Sequence, residues 1–306
     1  MRTLLTTGAV LAAGTIGFLA RGAAPAAAID TRNGHDMSAM ADGMNTGAPF
    51  AGYQQSMAIP ASATTAAERI AKSPRHGEWV AIKVNATDSV MAWVVYPERK
   101  DKAPVVIAIH ENTGINTWTR SVADQLAADG FIGIAPDLTT MFRTGDLTKD
   151  PAQADGSAAI RLVTPEIGNA IIDAVAKYGM ALPSAQKKYG IVGFCWGGGR
   201  SFSHAAHAPG LGASVVYYGT PPTPAELEAV KAPVMGMYGG ADARVTSTVP
   251  GTDSTMKKLG KSYESNIFEG AGHGFLRGQD QSPANLAAAQ GAWPKTIAFF
   301  RAKLGN

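Results

Sequence analysis

The chain has one cysteine, and it stands in a run of glycines: Gly193-Phe194-Cys195-Trp196-Gly197-Gly198-Gly199. The run follows the apolar stretch Tyr189 to Phe194 and precedes residues suited to a helix. Strand, sharp turn and helix, with a nucleophile on the turn, is the arrangement that exposes a reactive side chain at the top of a sheet. The glycines two before and two after Cys195 have a steric reason, because a Cβ at either place would collide with the neighbouring turn. A helix beginning at this point aims its N–H groups and positive end at the sulfur, which favours thiolate over thiol. The N–H of Trp196 can then face the oxyanion that forms when the thiolate attacks a carbonyl.

A thiolate nucleophile needs a base, and the base needs a group to orient it. His273 lies in Gly270-Ala271-Gly272-His273-Gly274-Phe275, just after the last expected strand. Asp242 follows Gly239-Gly240 after another. The chain order nucleophile, acid, histidine, each after a strand, is far more specific than any of the three residues alone. A fourth segment, His110-Glu111-Asn112-Thr113-Gly114, follows the strand 105 to 109, and the N–H of Asn112 is the candidate second oxyanion donor. Two roles are open for Glu111: a cap for the next helix, or a carboxylate facing the resting thiol, in which case one of the pair holds a proton. His110 has no assigned role.

The elements that must position these groups alternate. Residues 78–85 and 90–96 alternate apolar and polar side chains around a turn near Thr87-Asp88 and predict an antiparallel hairpin. Continuous apolar runs at 105–109 and 131–135 predict strands buried on both faces, and 189–194, 213–218, 234–238 and 262–268 predict further strands. Helices are expected at 117–129, from Thr164-Pro165-Glu166 onward, from Gly197 onward, and at 224–230 and 248–260, with a last helix opened by Pro294. Segment 138–163 lacks a period and reads as a loop over the site, with room for short helices. The whole is an α/β fold: a mostly parallel sheet, helices on both faces, and an antiparallel N-terminal hairpin at one edge.

Residues 1–28 read as a secretory signal peptide, with Arg2, an apolar stretch from Leu4 to Ala20, and a small-residue site at Ala26-Ala27-Ala28. The apolar stretch is too short for a membrane span, so no stable anchor is expected after cleavage, and the destination is the periplasm or the medium. Residues 29–77 read as a polar linker or arm, and 78–306 as the catalytic domain. The arm carries His35, Met37, Met40 and Met44, whose spacing matches no defined metal site. His204 and His207 could share a helix face but lack a third ligand. The chain has 306 residues, 45% apolar and 17% charged, with a formal charge of +3 that falls to +1 when Arg2 and Arg21 leave with the leader. That balance, with no clustered basic stripe, excludes a nucleic-acid partner. One cysteine excludes an internal disulfide or a cysteine-based structural zinc site. Neither a metal nor a cofactor is called for.

As a set, these motifs resemble the dienelactone hydrolase family. The resemblance spans about residues 78 to 304 and rests on Glu111-Asn112-x-Gly114, Ala135-Pro136-Asp137-Leu138, the Gly-x-Cys-x-Gly-Gly elbow, Gly-Gly-x-Asp242 and Gly-x-Gly-His273-Gly-Phe. It implies an α/β-hydrolase fold and an ester- or lactone-cleaving enzyme with Cys195 as nucleophile, His273 as base and Asp242 as its orienter. By the same resemblance Glu111 pairs with the resting thiol, the N–H groups of Trp196 and Asn112 form the oxyanion hole, and Arg277, four residues after His273, binds a substrate carboxylate. A second family arginine follows the Pro-Asp-Leu strand end closely. Here Leu138-Thr139-Thr140-Met141-Phe142 intervenes before Arg143, so the register is displaced. The partner is a small ester or lactone. Two other readings compete: a glutaminase-like protein, which lacks the Asp-then-His order, and an exported binding or redox-sensing protein on the same fold with no catalysis.

Overall fold

The structure is a computed structural model that describes residues 47–305. The leader at 1–28 and the histidine and methionines at 35–44 lie outside the described residues. The first described stretch, 47–65, is irregular chain leading into α1 (Ala66–Ala71). Of the two readings, linker or arm, it takes the form of an arm against the body: Ile59, Ala61 and Ser62 are buried. Its carbonyls hydrogen-bond to the body, Ala61 with Trp118 and Pro60 with Gln279.

Strands β1 (Gly77–Lys83) and β2 (Ser89–Val95) form the expected antiparallel hairpin, in register from Gly77 against Val95 to Lys83 against Ser89. Then follow β3 (Ala103–Ile109), α2 (Thr117–Ala128), β4 (Ile132–Pro136) and a 3₁₀ turn at Thr140–Phe142. The segment read as a covering loop continues through α3 (Gln153–Ile160) into α4 (Pro165–Ala181). Thr164 caps α4 by accepting from the Ile167 N–H at 3.3 Å, with Pro165 in the first turn. Next come β5 (Ala185–Phe194), α5 (Trp196–His207), β6 (Ala213–Tyr217), α6 (Pro224–Ala229), β7 (Val234–Gly239), α7 (Ala243–Thr246), α8 (Val249–Lys258), β8 (Tyr263–Phe268) and α9 (Pro283–Leu304).

Among the described residues these strands form one sheet in the order β1-β2-β4-β3-β5-β6-β7-β8. Pairing is parallel from β4 through β3 to β8, and antiparallel only where β2 meets β1 and β4. Every residue of β3, β4, β6 and β7 is buried, which their unbroken apolar runs require. The outer strands β1 and β8 are partly exposed. The site lies at the C-terminal ends of β3, β5, β7 and β8, where an open α/β sheet presents its loops.

Pro294 does not open the last helix. Ser282 caps α9 by accepting from the Asn285 N–H at 3.1 Å, Pro283 fills the first turn, and Pro294 sits inside. Pro294 is exposed, while Ala288, Ala292, Trp293, Ile297, Phe300 and Leu304 are buried. The missing backbone hydrogen bond therefore falls on the solvent side, and packing of the apolar stripe carries the helix through it.

Candidate active site

Cys195 joins β5 to α5 with φ 56° and ψ −115°, a backbone region costly for any residue with a Cβ. Its N–H is held by the Tyr217 carbonyl at 3.0 Å, so the strain is fixed by the neighbouring strand. The flanking glycines are steric necessities. A Cβ on Gly193 would lie 1.9 Å from the Gly197 carbonyl oxygen, and a Cβ on Gly197 would lie 2.4 Å from that of His110. The elbow can therefore press against the end of β3, which brings the first turn of α5 beside the 110–114 loop. The first N–H groups of α5 have no acceptor within the helix.

His273 and Asp242 come from the loops after β8 and β7. Those loops are tied together: the Gly240 N–H donates to the Phe268 carbonyl at 2.7 Å and the Ala241 N–H to the Ala271 carbonyl at 2.9 Å. The result is a 2.6 Å contact between His273 Nδ1 and Asp242 Oδ2, with both side chains mostly buried. The other ring nitrogen, Nε2, is buried with no oxygen or nitrogen partner, and His273 is in hydrogen-bonding contact with Cys195. Burial alone pulls the imidazole pKa down. The Asp242 hydrogen bond and the contact with Cys195 outweigh it and carry the pKa up to about 10. The site thus favours the imidazolium form of His273.

Glu111 is paired with Arg277. Its carboxylate meets the Arg277 guanidinium, Oε2 to Nε at 2.9 Å, and both side chains are nearly buried. The Glu111 charge raises the Arg277 pKa further, so the arginine stays charged. Of the two roles open in the sequence, the helix-cap role belongs to Asn116 instead, whose side chain accepts from the Thr119 N–H. Asn112 and Thr113 are buried beside it. His110 is a brace. Its Nδ1 donates to the Glu111 carbonyl at 2.7 Å, its Nε2 accepts from the Leu138 N–H at 3.1 Å, and its ring stacks on Trp196. Those partners require the neutral imidazole, and complete burial lowers its pKa accordingly. Arg200 covers the Trp196 ring at 5.0 Å.

Arg143 is committed elsewhere. The residues after Leu138 wind into the 3₁₀ turn and bring Arg143 back onto buried Asp137, with which it forms an ion pair. Its other nitrogen donates to the Lys149 carbonyl at 2.8 Å. The displaced register noted in the sequence is this turn. His204 and His207 are likewise occupied. His204 is buried against Tyr189 and Asn169, and His207 pairs with Asp173 at 2.9 Å. Among the described residues no group of three or more His, Cys, Asp or Glu is arranged to hold a metal.

Sequence reasoning missed Tyr218. The strand pattern runs through it, but β6 stops at Tyr217 and Tyr218 turns out with φ 40°. Its ring packs edge-on against His273 at 5.1 Å, and its buried hydroxyl has no hydrogen-bond partner. Burial, and then the nearby Glu111 charge, hold it firmly in the neutral phenol form. The signal available was its place at a strand end in Tyr217-Tyr218-Gly219, where this type of sheet carries its working loops.

The dienelactone hydrolase family profile matches residues 90–304. The chain belongs to the dienelactone hydrolase family. A protein of Escherichia coli O157:H7 named "Putative carboxymethylenebutenolidase" is 30% identical over 230 residues, covering 70% of this chain and 83% of that one. One of the same name from Saccharolobus solfataricus is 28% identical over 246 residues, covering 69% and 93%. The crystal structure of a "Putative Dienelactone Hydrolase" from Klebsiella pneumoniae superposes with a TM-score of 0.64 at 26% identity, covering 74% of this chain and 98% of that one. The fold is thus the α/β-hydrolase fold, and membership of the dienelactone hydrolase family makes the protein an ester- or lactone-cleaving hydrolase. The family segment begins at residue 90, so the stretch 47–65 and β1 precede it.

Proposed function

We propose that this dienelactone hydrolase relative is an exported enzyme that cleaves activated esters or lactones through an acyl-thioester on Cys195. The observation that carries the reading is the strained elbow at Cys195 beside a His273 imidazole locked to Asp242 at 2.6 Å. In this mechanism the thiol proton resides on His273 Nε2 and the thiolate attacks the substrate carbonyl. The oxyanion is met by the N–H groups of Trp196 and Asn112. Collapse expels the alkoxide or enolate, which takes the proton from His273, and leaves the acyl group on sulfur. His273 then deprotonates a water that attacks the thioester, releasing the acid and restoring the thiol. Enol-type leaving groups suit the site, because a thiolate leaves more readily than an ordinary alkoxide and would return the intermediate to substrate.

Arg277 would bind an anionic end of the substrate, which takes the place that Glu111 holds at rest. The ligand is a small molecule. Among the described residues no helix is long and apolar enough to cross a membrane. Export rests on the leader sequence at 1–28.

The test is hydrolysis of an activated aryl ester and of a dienelactone by the wild type, Cys195→Ala and His273→Ala. Fractionation of cells expressing the full chain gives the compartment. Turnover by the wild type alone, with a thioester trapped at Cys195 by rapid acid quench, supports the mechanism. Undiminished turnover by Cys195→Ala sinks it. Retention of an uncleaved chain in the cytoplasm sinks the export.

A further inference from the structure

The stretch 47–65 binds the turn that carries Arg277. The Ala63 N–H donates to the carbonyl of Arg277 itself at 2.9 Å, and the Phe50 N–H donates to the Asp280 carbonyl at 2.9 Å. Gln279 Nε2 donates to the Pro60 carbonyl at 2.9 Å, and the Thr64 hydroxyl donates to the Asp280 carboxylate. Gln279 and Asp280 are buried, and the Gln279–Pro60 bond is shielded from competing water.

The same stretch also grips the other side of the site. The Ala61 carbonyl accepts from Trp118 Nε1 at 2.9 Å, and Trp118 packs its ring against Phe194, the residue before the nucleophile. Arg69 in α1 donates to Gln125 of α2 at 2.5 Å. Helix α2 follows directly on the loop that bears Glu111. The outer chain therefore joins the two pieces of the protein that the Glu111–Arg277 ion pair joins inside.

We infer that residues 47–65 form a clamp that positions Arg277 relative to Cys195 and so sets the preference for anionic substrates. The inference rests on the reading of Arg277 as the carboxylate-binding residue. The clamp residues touch neither substrate nor the reacting atoms; they are positioning residues. The Arg277 turn has support from within, since Asn285 Nδ2 donates to the Gly278 carbonyl at 3.0 Å. Loosening the clamp should therefore shift the guanidinium without dissolving the triad.

The experiment uses the full chain carrying Thr64→Val, and a second form in which residues 50–61 are replaced by a glycine-serine linker of equal length. Each is made with Arg277 intact and with Arg277→Ala. Two esters that differ only by a carboxylate on the acyl part are compared, and hydrogen exchange is followed at residues 274–281. With Arg277 intact, Thr64→Val should speed exchange in the turn and raise KM for the charged ester by about tenfold. Its kcat, and both constants for the neutral ester, should stay within about twofold. In Arg277→Ala neither clamp variant should change the charged-to-neutral ratio further. An equal loss on both esters, unchanged exchange, or an added loss in the Arg277→Ala background overturns the clamp while leaving Arg277 as the anion reader. If Arg277→Ala itself keeps the wild-type ratio, the carboxylate reading falls, and the clamp's role in selectivity falls with it.

Discussion

Replacing Gly197 by alanine tests the geometry of the proposed oxyanion site without touching a side chain assigned to the reaction. The new Cβ would sit 2.4 Å from the His110 carbonyl oxygen and 2.6 Å from that of Ile109. Contacts below 3.0 Å do not persist, so backbone must separate by about 0.6 Å. Strand β3 is buried and paired on both sides, with β4 and β5, and yields little. Whether the turn at 110–112 or the first turn of α5 retreats, the N–H groups of Asn112 and Trp196 move apart. A misplacement of about 1 Å in a catalytic site costs on the order of a hundredfold, so kcat should fall by about tenfold to thirtyfold. Complete loss of one donor, about a hundredfold or more, is the ceiling. The stability cost should be about 1–3 kcal/mol, as for other overpacked interiors. Gly199→Ala is the control. It lies in the same helix, its Cβ would come no nearer than 3.5 Å to any atom beyond its own helix backbone, and alanine is the better helix former. Steady-state kinetics on an activated aryl ester, with the urea midpoint measured in parallel, decides the matter. A folded Gly197→Ala with wild-type kcat, or an equal loss in Gly199→Ala, would refute the reasoning.

Asp242→Asn should lower kcat by roughly 10³–10⁴ with little change in the melting temperature, because the imidazolium loses its carboxylate; stopped-flow ester hydrolysis measures it. The His273 pKa of about 10 in the folded protein lies above the ordinary 6.5, so its stabilisation is complete below about pH 6.5 and is lost as pH rises towards 10. Urea midpoints from pH 6 to 10 should thus fall more steeply for the wild type than for His273→Gln. Arg143→Ala should destabilise by about 3–5 kcal/mol, because it strands buried Asp137, yet keep the charged-to-neutral ester ratio of the wild type; a changed ratio would return Arg143 to the substrate site. Tyr218→Phe removes a buried hydroxyl that has no partner, and should raise stability by about 1 kcal/mol in a denaturant titration.

The sheet, the elbow at Cys195 and the pairing of His273 with Asp242 were legible because each depends on local pattern and chain order. Unbroken apolar runs mark strands buried on both faces, and a glycine-flanked cysteine after such a run marks an elbow. Asp242 and His273 were found by their places after β7 and β8 and by chain order. What could not be read depends on contacts distant in sequence. Nothing near Glu111 announces a partner at Arg277, and nothing near Arg143 announces that a 3₁₀ turn will fold it onto Asp137. Tyr218 was hidden by its own β-favouring side chain, since the turn at φ 40° is set by packing around it. For the stretch 47–65 composition left linker and arm both open, because polar residues satisfied by the body look like polar residues satisfied by water. Ser282-Pro283 was overlooked as a helix start because Pro294, nearer the apolar stripe, offered the same signal.

The clamp has a consequence for how the chain becomes active. Thr64 and Asp280 are separated by 216 positions, and Pro60 and Gln279 by 219. The first described segment to leave the ribosome thus waits for one of the last. Closing so long a loop carries a large entropic penalty before any contact repays it, which places the docking late in folding. Helical structure should therefore return on refolding before selective hydrolysis does, and the interval between the two is the time the nascent enzyme spends with its elbow formed but the proposed clamp on Arg277 unset.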